Sequence, residues 1–291
     1  MVFIKMSNDA LTYQFINNTT FVMGNRKNAG KTTFMNWALN QIRHVESPAL
    51  ATIGIDGESN DMIDGREKPL IHTVKGDAVV TSANMLKRSN GLFKVTKALP
   101  IKTPLGQLVI AQTIRDGNIE LVGPEHNQQL EQVVSFLSDE LGYKSIIIDG
   151  AASRITPIAS IRKSSLYYLV NIDRKNLTKM VEQMQLISIY SKFIKAKDTE
   201  KPYVINGALT PSKLTDIPDN CSSILINDMS AIFLNYRQAQ QLLKYLIIRV
   251  KNEISLKAFV VVLKDIKQEE FSKQLIKAGI NTKIIYNPYV H

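Results

Sequence analysis

The chain has 291 residues, of which 44% are hydrophobic, so it can bury a sizeable core, and this composition argues against wholesale disorder. Thirty-six Lys and Arg residues against 26 Asp and Glu residues give a net charge of +10, but the basic residues are scattered rather than gathered in one block. The single cysteine, Cys221, cannot form an internal disulfide, and the four histidines make no metal-ligand pattern. Because no apolar run reaches the ~18 residues of a membrane span and the N-terminus lacks signal-peptide features, we expect a cytoplasmic protein.

The first recognisable elements are a buried strand and an amphipathic helix. Residues 20–23 form a short apolar run that predicts the strand. From residue 32 to about residue 43, apolar side chains recur at helical spacing on one face: Phe34, Trp37, Ala38 and Ile42. A second apolar strand is predicted over residues 49–55, and it ends at Asp56.

Between residues 70 and 122 the pattern changes, and it predicts a β-rich insertion. Short alternating runs separated by turn residues cover residues 70–74, 78–81, 93–98, 106–113 and 119–122. Strand–helix alternation then resumes. Helices are predicted over residues 125–141, 177–194, 236–248 and 268–278, and strands over residues 145–148, 166–172, 203–205, 223–226, 258–263 and 283–286.

The segment FVMGNRKNAGKTTF, residues 21–34, joins the first strand to the first helix and has the composition of a phosphate-binding loop. In such a loop, backbone N–H groups of a Gly-rich turn and of the helix start point at phosphate oxygens. Lys31 is expected to reach the β and γ phosphates, Thr32 to ligate Mg²⁺ and Thr33 to touch the α phosphate. The residues expected to bind the nucleotide are Gly24, Asn25, Arg26, Lys27, Asn28, Ala29, Gly30, Lys31, Thr32 and Thr33.

The loop and the strand–helix alternation together predict the fold class. We expect an α/β protein, a three-layer P-loop NTPase with a mostly parallel sheet covered by helices on both faces. The whole chain, residues 1–291, is interpreted as a single domain, with the β-rich insertion at about residues 70–122.

A phosphate-loop protein also needs an acidic residue for Mg²⁺ or its water shell, and this residue usually ends a neighbouring apolar strand. Asp149, which follows the apolar run 145–148, fits this role. Asp56 is the second candidate, with Glu58 close behind it, although Asp-Gly at this point also fits an ordinary turn. We expect Lys31, Asp56 and Asp149 to act in catalysis, and Thr32, Asp149 and Asp56 to hold the metal.

Two further carboxylates, Asp173 and Asp228, follow apolar runs and are interpreted as loop residues. The base of the nucleotide is not determined by any motif. However, the guanine-reading sequence Asn-Lys-x-Asp does not occur, and this favours ATP over GTP.

The loop departs from the usual spacing, because five residues rather than four separate Gly24 from Gly30. This length resembles the variant loop of dethiobiotin synthetase and its relatives. In the MinD-like ATPases a second Lys stands five positions before the loop Lys and reaches a nucleotide across a dimer. Arg26 has that position here, so the resemblance implies a possible homodimer.

Several stretches together resemble one family more closely: GNRKNAGKTT, ATIGIDGE, TPLGQLVIA, IELVGP, IIIDGAASR and NGALT. The chain is similar over about residues 20–215 to the P-loop subunit of the reactivase that serves B12-dependent lysine 5,6-aminomutase and ornithine 4,5-aminomutase. The resemblance implies an ATP-dependent accessory factor that releases damaged cobalamin from an inactivated mutase, together with a second ATPase subunit.

Three alternatives remain open on the sequence. A small-molecule ligase or kinase of the dethiobiotin synthetase type would use the insertion as an acceptor pocket. A nucleic-acid-associated ATPase would explain the charge of +10, but no aromatic and basic stacking motif supports it. The chain could also bind nucleotide without hydrolysing it.

Overall fold

The computed structural model describes residues 14–26, 29–53, 70–150, 161 and 164–286. Its largest element is a nine-stranded sheet. The parallel part contains β1 (Thr19–Gly24), β2 (Ala49–Thr52), β8 (Ile146–Asp149), β9 (Ser164–Ile172), β13 (Ser255–Leu263) and β14 (Ile284–Tyr286). Every residue of β1, β2 and β8 is buried, as expected for central strands covered on both faces.

Helices cover the two faces of this sheet, so the predicted α/β architecture with a mainly parallel sheet is confirmed. On one face, α1 (Lys31–Arg43) packs against Val22, Ile147 and Tyr167. The other face holds α3 (Asn127–Ser135), α4 (Leu177–Tyr190) and α6 (Gln268–Lys277), and it receives Phe21 and Ile148. The alternation of neighbours such as Phe21 and Val22 between the two faces follows from the two-residue period of a strand.

The segment 70–122 extends the sheet through antiparallel pairing. It contains β3 (Ile71–Thr73), β4 (Ala78–Ser82), β5 (Leu92–Thr103), β6 (Gly106–Arg115) and β7 (Gly117–Ile119). β4 pairs parallel with β2 and antiparallel with β6, and β5 forms the outer edge beyond β6. The strand order of the main sheet is thus β14-β13-β9-β1-β8-β2-β4-β6-β5. β3 and β7 form a separate two-stranded sheet. A short helix that the sequence pattern did not predict also lies here, α2 (Ala83–Arg88), and the Ser82 hydroxyl caps its first turn.

The strands between α4 and β13 do not join the main sheet. β10 (Tyr203–Val204), β11 (Ser223–Ile226) and β12 (Ile247–Val250) form a parallel three-stranded sheet of their own. β12 corrects the prediction of a helix over residues 236–248, because α5 (Tyr236–Leu242) ends five residues before β12 begins. In the strand, Ile248 and Val250 are buried and Ile247 is exposed. The helix was predicted because such a short apolar run is compatible with both the 3.6-residue period of a helix and the two-residue period of a strand.

Smaller differences concern the ends of helices. α3 continues as a π-helical turn over Phe136–Glu140, which accounts for the predicted length of 125–141. α4 ends at Tyr190, four residues before the predicted end, and its C-terminus is followed by a turn. Short 3₁₀ segments cover Pro211–Asp216 and Met229–Ala231.

A buried ion pair joins the end of α1 to the start of β4. The Arg43 Nη2 atom lies 2.6 Å from Asp77 Oδ2, and the two side chains are 12% and 1% exposed. Arg43 also donates to the carbonyl of His72, and Asp77 accepts from the backbone N–H of Val74. Burial raises the pKa of Asp77 above its usual value, while the hydrogen bond from Arg43 opposes that rise. The pair therefore ties the antiparallel extension to the parallel core.

We expect Arg43→Met to lower the free energy of unfolding at pH 7 by about 3 kcal/mol, because it leaves the Asp77 carboxylate buried without its cation. The folded pKa of Asp77 should rise further above the unfolded value of 3.8, so this loss should shrink as the pH falls and Asp77 becomes protonated. Urea denaturation at pH 7 and pH 5 measures both effects. Arg174→Met is the matched control, since the Arg174–Glu270 pair is 67% and 41% exposed and should cost less than about 1 kcal/mol. Equal losses in the two variants would contradict the prediction.

Candidate nucleotide-binding site

The connection from β1 to α1 creates a helix N-terminus that faces the carboxyl edge of the sheet. Gly30 stands immediately before the helix with φ 93° and ψ 15°, a left-handed conformation that favours glycine. The helix then closes its first hydrogen bond from Phe34 N to Gly30 O at 3.0 Å. Gly30 offers no capping side chain, and the first turn contains no acidic residue. Its backbone N–H groups are thus suited to an anion.

Lys31 and Asp149 meet at this edge. The Lys31 Nζ atom lies 3.0 Å from Asp149 Oδ1, and the two side chains are 14% and 12% exposed. Lys31 Nζ also donates to the carbonyl of Gly150 at 2.7 Å. The pairing follows from the topology, because β8 runs parallel to β1 with Asp149 level with Val22. Two residues that are 118 positions apart in the chain are therefore brought into direct contact.

Asp149 is held from its other side by the end of β2. Its backbone carbonyl accepts from the N–H of Ile53 at 3.0 Å and from the hydroxyl of Thr52 at 3.2 Å. The N–H of Gly150 donates to Val22 O at 2.9 Å. Three adjacent strand ends thus fix the position of this carboxylate, so its side chain is presented to Lys31 on a rigid support.

The start of the loop is attached to β9 and α4 through Asn25. The Asn25 backbone N–H donates to Leu169 O at 3.0 Å, and its side-chain Nδ2 lies 2.8 Å from the Met180 sulfur. Its side-chain oxygen lies 3.5 Å from the N–H of Asn171. Gly24 is closely packed as well, since a Cβ atom there would lie 3.0 Å from the Cβ of Ala29. Gly24 and Asn25 therefore have fixed positions where the chain leaves the sheet.

Asn171 is a polar residue of this edge that sequence analysis did not single out. It is buried, and its side-chain oxygen has no hydrogen-bond partner among the residues that the structure describes. The only sequence signal was an amide residue near the end of an apolar strand, and many strands end that way. Its position beside Asn25 became visible only once β9 was placed next to β1.

The predicted site residues divide into three groups. Lys31 and Asp149 are in contact, and Thr32 lies half-buried on the same helical turn as Lys31. Thr33 and Arg26 are exposed. Gly24, Asn25, Ala29 and Gly30 belong with the first group, because they hold the two ends of the loop. Lys27, Asn28, Asp56 and Glu58 lie outside the described residues.

The other two candidate carboxylates have local structural partners. Asp173 and Asn176 exchange hydrogen bonds, each side chain accepting at 3.0 Å from the backbone N–H of the other residue. Asp228 accepts at 2.8 Å from the backbone N–H of Ser230 and caps a 3₁₀ turn. Burial raises the pKa of Asp228, and the hydrogen bonds from Ser230 oppose that rise. Both carboxylates thus serve the turns in which they lie.

A magnesium ion fits the donors of this edge only in combination with a phosphate ligand. The described part of the chain contains no group of three or more His, Cys, Asp or Glu side chains that could hold a metal alone. Thr32 and Asp149 supply a hydroxyl and a carboxylate, which are hard oxygen ligands of the kind that Mg²⁺ prefers. Mg²⁺ typically uses one or two protein oxygens together with phosphate oxygens and water.

Comparison of the chain with protein-family models and with curated proteins gives no match. Within the described ranges, no helix has both the length and the apolar character that crossing a bilayer requires. The site is therefore interpreted from its own geometry.

Replacing Lys31 should reveal the strength of its pairing with Asp149. We expect Lys31→Met to lower the free energy of unfolding by about 1–3 kcal/mol without nucleotide, because a largely buried carboxylate loses its ammonium partner. Lys179→Met, at an exposed position of α4, is the control. In a double-mutant cycle with Asp149→Asn, chemical denaturation should show a coupling energy of at least about 0.5 kcal/mol. Strict additivity of the two changes would argue against the contact.

Proposed function

We propose that this protein binds ATP with Mg²⁺ on residues 24–33, hydrolyses it slowly, and acts as an accessory factor on a protein partner. The observation that carries the proposal is the contact between Lys31 and Asp149 beside the N-terminus of α1. An anion-binding helix start, a lysine and a strand-end carboxylate are the parts that nucleoside triphosphate chemistry needs in one place.

Each residue has a defined role in the proposed site. The backbone N–H groups of the first turn of α1 would bind phosphate oxygens. Lys31 would leave its contact with Asp149 and bind oxygens of the β and γ phosphates. Thr32 and Asp149 would hold Mg²⁺, which neutralises charge on the phosphates. Asp56 or Glu58 is proposed to orient the attacking water.

A protein partner is supported by apolar side chains on and beside the three-stranded sheet. Tyr203, Val204 and Ile247 lie in its outer strands and are 40%, 45% and 54% exposed. Phe233 and Tyr245, in the connections between its strands, are also exposed. Aromatic side chains are enriched in protein interfaces, so these exposed groups favour a surface that another protein covers. The resemblance to the reactivase subunit suggests a B12-dependent aminomutase as the client and a second ATPase subunit as a further partner.

Calorimetric titration in the presence of Mg²⁺ tests the nucleotide site. We expect ATP to bind more tightly than GTP, and Lys31→Ala to weaken ATP binding about 10- to 100-fold, because charge-assisted hydrogen bonds to the phosphates are lost. Lys179→Ala removes the same charge from an exposed position and should bind like the unchanged protein. If ATP does not bind at millimolar concentration, the proposed site is wrong for the isolated chain.

The rate of ATP hydrolysis, measured alone and with candidate partners, separates the proposed function from its alternatives. We expect slow basal turnover that rises when an inactivated B12-dependent aminomutase is added, because the partner would complete or reorganise the site. Lys31→Ala should abolish both rates. Turnover that requires a small acceptor and no protein would instead indicate a ligase or kinase of the dethiobiotin synthetase type. Salt-sensitive stimulation by DNA or RNA would indicate a nucleic-acid-associated ATPase.

A further inference from the structure

An open cavity lies at the amino edge of the nine-stranded sheet, at the opposite end of β1 from the candidate nucleotide site. Its volume is about 690 Å³, which is within the usual range for small-molecule sites. The cavity is lined by residues 14–18 just before β1, by residues at the starts of β9 and β13, and by Lys283, which immediately precedes β14. These four strands are neighbours in the sheet, so the lining residues come from one continuous edge.

The lining is rich in hydrogen-bond donors and contains only positive charge. Its nine residues include two lysines, three serines and three side-chain amides, and none of them is Asp or Glu. Glu46 accepts a hydrogen bond from Ser145, whose hydroxyl also accepts from the N–H of Asn17, but Glu46 does not line the cavity. A cavity with this lining favours an anionic ligand over a cation or an apolar molecule.

Lys283 is the central charge of this cavity. Its backbone carbonyl accepts from Phe259 N at 2.9 Å, so β13 fixes its position. Its Nζ donates to the side-chain oxygen of Gln14 at 3.3 Å, and the same oxygen accepts from the hydroxyl of Tyr167 at 3.0 Å. Burial lowers the pKa of Lys283, and no ion pair involving this lysine occurs in the described part of the chain. A half-buried ammonium that faces a neutral amide can still pair with an anion.

The neighbouring polar groups are also held in place. The Asn18 side-chain amide donates to Ser165 Oγ at 2.6 Å and to Gln14 O at 3.3 Å. Ser165 is level with Thr20 of β1 and with Ser255 of β13, so three adjacent strands support it. Lys257 lies two residues beyond Ser255 and is exposed. The edge therefore combines one half-buried ammonium, one exposed ammonium and an ordered group of hydroxyls and amides.

We propose that this amino-edge cavity is a second ligand site, which binds a small, hydroxyl-bearing molecule with a phosphate or carboxylate group. Lys283 pairs with the anionic group, and the serine hydroxyls and amides bind the hydroxyls of the ligand. The site is separated from Lys31 by the length of the sheet strands and does not depend on nucleotide binding. It therefore goes beyond the proposed ATP-dependent function.

Thermal unfolding with added anions tests the second site, using the Lys31→Ala protein so that anion binding at the nucleotide site is weakened. Inorganic phosphate, citrate and glucose 6-phosphate are the probes, with ionic strength held constant by sodium chloride. We expect a saturable rise in Tm with at least one probe. Adding Lys283→Gln to this protein should weaken the apparent affinity about 10-fold or more, because the charged hydrogen bond is lost. Adding Lys244→Gln instead removes the same charge from an exposed position and should change nothing.

The pattern across the probes identifies the anionic group. A larger response to glucose 6-phosphate than to citrate indicates a phosphate ligand, and the reverse indicates a carboxylate ligand. The rate at which Lys283 is acetylated, measured by mass spectrometry on the Lys31→Ala protein, should fall when the effective probe is present, and this readout does not depend on the folding of a Lys283 variant. The proposal is overturned if no probe raises Tm, if Lys283→Gln responds like Lys244→Gln, or if the effective probe leaves the acetylation rate of Lys283 unchanged.

Discussion

The parallel pairing of β1 with β8 is the constraint on which the candidate nucleotide site depends. It sets Asp149 level with Val22, two residues before β1 ends at Gly24. α1 begins seven residues after Gly24, and its first residue, Lys31, lies 3.0 Å from the Asp149 carboxylate. A slip of one residue in this pairing would turn the Asp149 side chain to the other face of the sheet and separate the two charges. Register, rather than the loop composition alone, makes the site.

The surrounding structure protects that register. β2 holds the backbone carbonyl of Asp149 through Ile53 and Thr52, and β9 holds the loop through Asn25. The Arg43–Asp77 pair joins the far end of α1 to β4 and therefore ties the helix that carries Lys31 to the antiparallel extension. The two lysines that matter most here, Lys31 and Lys283, lie at opposite edges of one sheet. Lys31 is paired with Asp149, whereas no Asp or Glu lines the cavity of Lys283.

The β-rich segment and the three-stranded sheet are different kinds of addition to the parallel core. The segment 70–122 continues the main sheet, and its outer strand β5 has Lys94, Lys97 and Pro100 together with three register shifts. Such features protect an edge strand from pairing with other chains. The connections of the three-stranded sheet instead contain exposed large apolar groups, Phe233 and Tyr245.

The sequence alone determined the strand–loop–helix unit of residues 19–43, because strand period, helical period and a Gly-rich turn are all local signals. It also identified Lys31 and Asp149 as separate candidates. Only the tertiary structure decided that they touch, that Asn171 lies beside Asn25, and that residues 247–250 form a strand in a second sheet. Strand order and register depend on contacts between residues far apart in the chain. A short apolar run such as Ile247–Val250 is compatible with both the helical and the strand period, and only its pairing with an adjacent strand decides between them.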